Sequence, residues 1–70
     1  MKNQEIIDYA YPCMMAERAL KKAHDAMLKN DYDEAIEQTL LAITEAKLMY
    51  NSIKIMQENS HALREQTASV

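Results

Sequence analysis

The fold is decided by residues 30–56, NDYDEAIEQTLLAITEAKLMYNSIKIM. Asp31 is a preferred N-cap residue, because its carboxylate accepts hydrogen bonds from the unpaired N–H groups of a first helical turn. Glu34 follows three residues later, at the spacing of a capping box. Neither Gly nor Pro occurs between Asp31 and Val70, so this stretch predicts one long helix.

Apolar side chains surround most of this predicted helix. A main face at helical spacing consists of Ile36, Leu40, Ile43, Ala46, Tyr50 and Ile53. Two further stripes repeat every seven residues, namely Leu41, Leu48 and Ile55, and Ala42, Met49 and Met56. Polar residues form two narrow strips, namely Glu37, Thr44 and Asn51, and Gln38, Glu45 and Ser52.

A helix that is apolar on most sides is normally buried from several directions. One partner helix cannot cover that much surface, so the sequence predicts that additional copies of the chain cover the rest. The residues we predict at this oligomer interface are Leu41, Leu48, Met49, Ile55 and Met56.

Length and composition agree with a small domain that gains stability by association. Seventy residues form one domain that is marginal on its own. The single cysteine, Cys13, cannot form an internal disulfide, and it suits a reducing compartment. The sequence has neither an apolar run of membrane-spanning length nor an N-terminal apolar signal segment, so we expect a soluble cytoplasmic protein. A net charge of −3 argues against binding to a nucleic acid polymer.

The absence of Gly and the single Pro predict an all-α fold. We expect a single domain over 1–65, with a short N-terminal helix over 1–11 that ends in a bend at Tyr11 and Pro12. Helices are predicted over 12–29 and 32–60, followed by a fraying end and a disordered tail over 66–70. The very short connection between the two long helices predicts an antiparallel hairpin.

The first long helix offers two stripes that suit close packing. A 3-4-3-4 pattern typical of a helix pair is formed by Cys13, Ala16, Leu20, Ala23 and Met27. Small residues that allow another backbone to approach are Ala16, Ala19, Ala23 and Ala26.

The stretch DYDEAIEQTLLAI resembles the second helix of a tetratricopeptide repeat. Tyr32, Ala35, Ala42 and Ile43 stand at that family's Tyr, Ala, Ala and Leu positions, and Ala23 at its small position in the first helix. The aromatic residue expected near Thr39 is missing, the closing proline is missing, and only one copy is present, whereas repeat arrays need about three. We interpret the resemblance as hairpin chemistry that both share.

The run ITEAKLMYNSI resembles the second helix of small phage hairpin proteins that sequester cyclic-nucleotide immune signals. The matching residues are Ile43, Glu45, Ala46, Leu48, Met49 and Asn51. This resemblance implies an oligomer, a cyclic-nucleotide ligand and a ligand-binding role for Asn51. The Pro-Gly-Arg-Glu loop typical of that family is replaced here by Asn30-Asp31-Tyr32-Asp33.

The residues themselves offer little chemistry. His24 and His61 lack further ligands at metal-binding spacing, so neither a metal nor another cofactor is predicted. Cys13 and His24 are too far apart on one helix to form a nucleophile and base, so we do not expect an enzyme. A small ligand would find stacking tyrosines at Tyr9 and Tyr11 and phosphate-binding amines at Lys21 and Lys22.

Two binding functions remain open from the sequence, besides a purely structural hairpin. In the first, a homo-oligomer, most simply a dimer, is a phage or accessory protein that binds and blocks a host protein. In the second, the oligomer sequesters a cyclic nucleotide between its subunits.

Overall fold

The chain forms a hairpin of two helices. The computed structural model describes residues 8–68, with side chains described as far as Ser60. Helix α1 is Ala10–Leu28 and helix α2 is Tyr32–Ala68, and the described residues contain no strand. The molecule measures 60 × 25 × 12 Å along its principal axes, so the layer is about one helix thick. The prediction of an all-α hairpin is confirmed.

Helix α1 begins two residues earlier than the sequence predicted, and Tyr11 is helical rather than a bend. Asp8 Oδ1 accepts a hydrogen bond from the Ala10 N–H at 2.9 Å, and the Cys13 N–H donates to the Tyr9 carbonyl at 3.1 Å. Pro12 therefore lies within the first turn, where its missing N–H leaves no bond unmade. The segment predicted over 1–11 falls mostly on residues 1–7, which lie outside the described residues.

The connection is a Schellman motif with Asn30 in the left-handed conformation, at a φ of 60°. The Asp31 N–H donates to the Ala26 carbonyl at 2.8 Å, and the Asn30 N–H donates to the Met27 carbonyl at 3.0 Å. These bonds satisfy carbonyl groups at the end of α1 and turn the chain within three residues. The reversal brings α2 onto α1.

Asp31 caps α2 as predicted, since its Oδ1 accepts a hydrogen bond from the Glu34 N–H at 3.2 Å. Glu34 does not complete a capping box, because its carboxylate accepts a hydrogen bond from Gln38 Nε2 at 3.0 Å instead. Helix α2 also continues to Ala68, beyond the predicted end near residue 60, so 66–68 of the predicted disordered tail are helical. Residues 69–70 lie outside the described part of the chain.

The packed seam between the helices is built from the smallest side chains. Its buried residues are Pro12, Ala16, Ala19, Ala23 and Ala26 from α1, and Ala35 and Ala42 from α2. The residues of α2 with reduced exposure continue a 3-4 spacing, namely Gln38, Glu45, Met49 and Ser52. Alanine side chains let two backbones approach closely, but they bury little apolar area.

Burial decides which of the patterns in the sequence face the inside of the hairpin. Leu20 and Met27 of α1 are exposed rather than packed on α2, because Ala19 and Ala26 take their place. The predicted polar strip that includes Gln38 and Glu45 turns toward α1 and is half-buried. Gln38 Oε1 is buried without a hydrogen-bond partner among the described residues, which weakens the seam further.

Candidate binding surface

Large apolar side chains lie on the outside of the hairpin. Helical spacing groups seven of them on one side of each helix, and we call this set the broad face: Leu20, Met27, Ile36, Leu40, Ile43, Tyr50 and Ile53. Ile43 is 59% exposed and Leu40 is 60% exposed. The main apolar face that the sequence indicated on α2 is thus turned away from α1. Exposed apolar patches of this extent are typical of surfaces that bind another molecule.

The broad face is continuous between the two helices. Near the connection, a shallow apolar groove of about 380 Å³ lies between them. Its walls are formed by Ala23, His24 and Met27 of α1 and by Tyr32, Ala35, Ile36, Thr39 and Leu40 of α2. At the other end of α1, Tyr9 borders a depression with Ile53, Met56 and Gln57. The same flank therefore carries apolar residues along the length of α1.

A second apolar surface, the narrow stripe, consists of Leu41, Leu48 and Ile55. These residues are seven apart on α2, and each is between 43% and 50% exposed. They were predicted at the oligomer interface together with Met49 and Met56. Met49 is half-buried in the seam, and Met56 borders the depression beside Tyr9. The narrow stripe and the broad face are thus two distinct surfaces of α2.

The five predicted ligand residues do not converge within one chain. Tyr9 lies beside Ile53, and Lys22 borders a charged depression near the connection. Tyr9 and Lys22 are thirteen residues apart on α1, a separation of roughly 20 Å along the helix. Tyr11, Lys21 and Asn51 are exposed and line neither depression. A site that used all five would need residues from more than one subunit.

Titratable side chains are scattered along the hairpin. Among the residues that the structure describes, no group of three or more His, Cys, Asp or Glu side chains is placed to hold a metal ion. Cys13 Sγ lies 4.0 Å from Glu17 Oε2, and His24 stands on the wall of the apolar groove. Within the same residues, neither helix combines the length and apolarity needed to span a bilayer.

Sequence reasoning missed that Leu20 and Met27 belong to the broad face. The signal was present in the alanines at positions 16, 19, 23 and 26, which mark an alternative seam on α1. Two helices joined by a short turn pack most closely through small residues, so the alanines take the seam and the larger residues move to the flank.

Comparison with known proteins adds no family to these observations, since no protein-family model, curated protein or solved structure matches the chain. The resemblances to tetratricopeptide repeats and to phage hairpin proteins therefore stay predictions.

Proposed function

We propose that this chain is a non-enzymatic binding or regulatory protein that functions as a homo-oligomer, most simply a dimer of antiparallel hairpins forming a four-helix bundle. The observation that carries this proposal is the distribution of apolar residues. The buried positions are occupied by alanines and Pro12, whereas the large aliphatic residues of the broad face are exposed. A second copy that covers this face would supply the core that one hairpin lacks.

An antiparallel hairpin is supported by the neighbours found at its two ends. Met27, near the end of α1, shares a groove with Tyr32 at the start of α2. Tyr9, just before α1, lies beside Ile53, well along α2. Opposite chain directions account for both pairs.

The magnitudes favour a partner that covers the entire broad face. Fully burying a large aliphatic side chain is worth roughly 1.5–3 kcal/mol, so covering the exposed half of each residue contributes about 1 kcal/mol. Association itself costs roughly 4–15 kcal/mol. Contact with two or three of these residues is therefore insufficient, whereas the complete broad faces of two copies together reach that range.

The assembled oligomer acts by binding another molecule in the cytoplasm. Its leading target is a host protein, which it blocks. This role is supported by the narrow stripe, which remains exposed on α2 apart from the broad face. An exposed apolar stripe on a rigid helix suits recognition of an apolar partner surface. The alternative ligand is a cyclic nucleotide held between subunits.

Mass measurement tests the assembly. Light scattering should give at least twice the chain mass of 8.1 kDa for the wild type. Ile43→Glu should give the mass of a single chain, because it places a charge on the broad face. Thr44→Glu is the matched control, since the neighbouring residue is exposed on the polar strip. A monomeric wild type would overturn the proposal.

Binding is tested with a second pair of variants. A host protein that is retained by the wild type and by Thr44→Glu, but lost with Leu48→Glu, would support the blocking role. A thermal shift with cyclic di- or trinucleotides that is lost in Tyr11→Ala or Lys22→Ala would support the alternative instead. Turnover of any nucleotide would contradict the non-enzymatic assignment.

A further inference from the structure

We infer that two copies pair through α2 in opposite directions, about a two-fold axis close to Ile43. This inference depends on the proposed self-association and adds to it the face, the direction and the register of the contact. It follows from two features of the described segment 33–54: the spacing of its exposed apolar residues and the charges along one edge.

Three exposed apolar residues of this segment are placed symmetrically about Ile43. Ile36 precedes Ile43 by seven residues and Tyr50 follows it by seven, and all three are about 60% exposed. Residues seven apart occupy nearly the same angular position on a helix. In an antiparallel pair centred on Ile43, each Ile36 lies opposite Tyr50 of the second copy, and the two Ile43 side chains meet. Apolar side chains therefore meet along the whole contact between the two α2 helices.

The charged residues select the antiparallel direction. One edge of the broad face carries a residue every seventh position, namely Asp33, Leu40, Lys47 and Lys54. A two-fold axis perpendicular to the helices brings this edge against the same edge of the second copy in reverse order. Asp33 then faces Lys54 at both ends, and the aliphatic stem of Lys47 covers Leu40. A parallel pair would place this edge against the opposite edge of the second copy, so Asp33 and Lys54 would lie at different heights and could not pair.

Lys54 is available for the contact with Asp33 of the second copy. Lys54 is exposed, and its Nζ lies 3.5 Å from Gln57 Oε1, a neutral group on the same helix. Asp33 is exposed in the first turn of α2. Opposite charges at the rim of an apolar interface mainly determine orientation and register, which is the role assigned to this pair.

Disulfide trapping tests the direction. In a Cys13→Ser background, which removes the native thiol, we expect Ile36→Cys mixed with Tyr50→Cys to form a cross-linked dimer on oxidation. Each of these variants alone should form little, because identical positions are far apart in an antiparallel pair. Ile43→Cys alone should cross-link efficiently, since it lies near the axis.

The outcomes separate this inference from the proposed function. Light scattering on each reduced variant first shows whether it still associates. A dimer in which Ile36→Cys links to itself would mean parallel pairing and would overturn the inference while leaving self-association intact. If the protein is a dimer but none of these cysteine pairs cross-links, the contact lies on another face. The inference would then be overturned and self-association would stand. A monomeric wild type would overturn both.

Charge reversal provides an independent measurement that needs no cross-link. Lys54→Glu should weaken dimerisation on the order of fivefold, the effect of losing a rim ion pair at both ends of the contact. Adding Asp33→Lys in the same chain should restore most of the affinity, because the pair is re-formed with reversed sign. If the double variant does not recover the affinity of dimerisation, the assigned register is contradicted.

Discussion

Ile43→Ala should weaken self-association by about a hundredfold without disturbing the packing of α1 on α2. The substitution removes three carbon atoms, worth roughly 0.8 kcal/mol each when they are fully buried. Ile43 is 59% exposed in the hairpin, so about 1.4 kcal/mol of this total depends on cover from a second copy. A two-fold dimer loses that amount twice, roughly 3 kcal/mol, which corresponds to about two factors of ten in the dissociation constant.

Sedimentation equilibrium over a range of protein concentrations measures this change directly. Thr44→Ala is the control, because Thr44 lies on the exposed polar strip and its Oγ1 donates only to the Leu40 carbonyl, at 3.2 Å. Far-UV circular dichroism should show the same helix content in both variants under conditions where both are folded. Equal dissociation constants for Ile43→Ala and the wild type, or an equal loss in Thr44→Ala, would refute the reasoning.

Three further changes test the hairpin itself by chemical denaturation at fixed protein concentration. Ala19→Leu should destabilise the fold by about 1–3 kcal/mol, because Ala19 is 2% exposed and the seam has no room for a larger side chain; Ala10→Leu, at an exposed position, should have little effect. Asp31→Ala should cost about 1 kcal/mol by removing the cap, whereas Asp31→Asn should keep most of it. Asn30→Ala should cost roughly 1–2 kcal/mol, since a β-carbon is unfavourable at a φ of 60°, and Asn30→Gly should not.

Features set by local chemistry were predictable from the sequence. The helical class follows from composition, and the start of α2 follows from Asp31 at its N-cap. The end of α2 does not follow from the sequence pattern, because the apolar pattern is lost after Met56 although the helix does not end there. Helix α2 nevertheless continues to Ala68, in a region without Gly or Pro to stop it.

The face of each helix that packs inside the hairpin was not predictable in the same way. On α1, two stripes with the required 3-4 spacing share Ala16 and Ala23, and they differ in whether Leu20 or Ala19 stands between these two. Ranking by hydrophobicity favours the leucine, whereas the short connection favours the smaller residue. The separation of Tyr9 from Lys22 does not depend on this choice, because thirteen residues of helix place them roughly 20 Å apart whichever face packs.

The alanine seam has a consequence for stoichiometry. Two helices in contact through methyl groups enclose no cavity for a nucleotide or a metabolite, and the groove near their connection is open to the outside. Any such molecule must occupy the outside of the hairpin or a junction where copies meet. A calorimetric titration would then give a number of ligand molecules per chain that is set by the number of junctions. A site on the two-fold axis of a dimer would bind half a ligand molecule per chain.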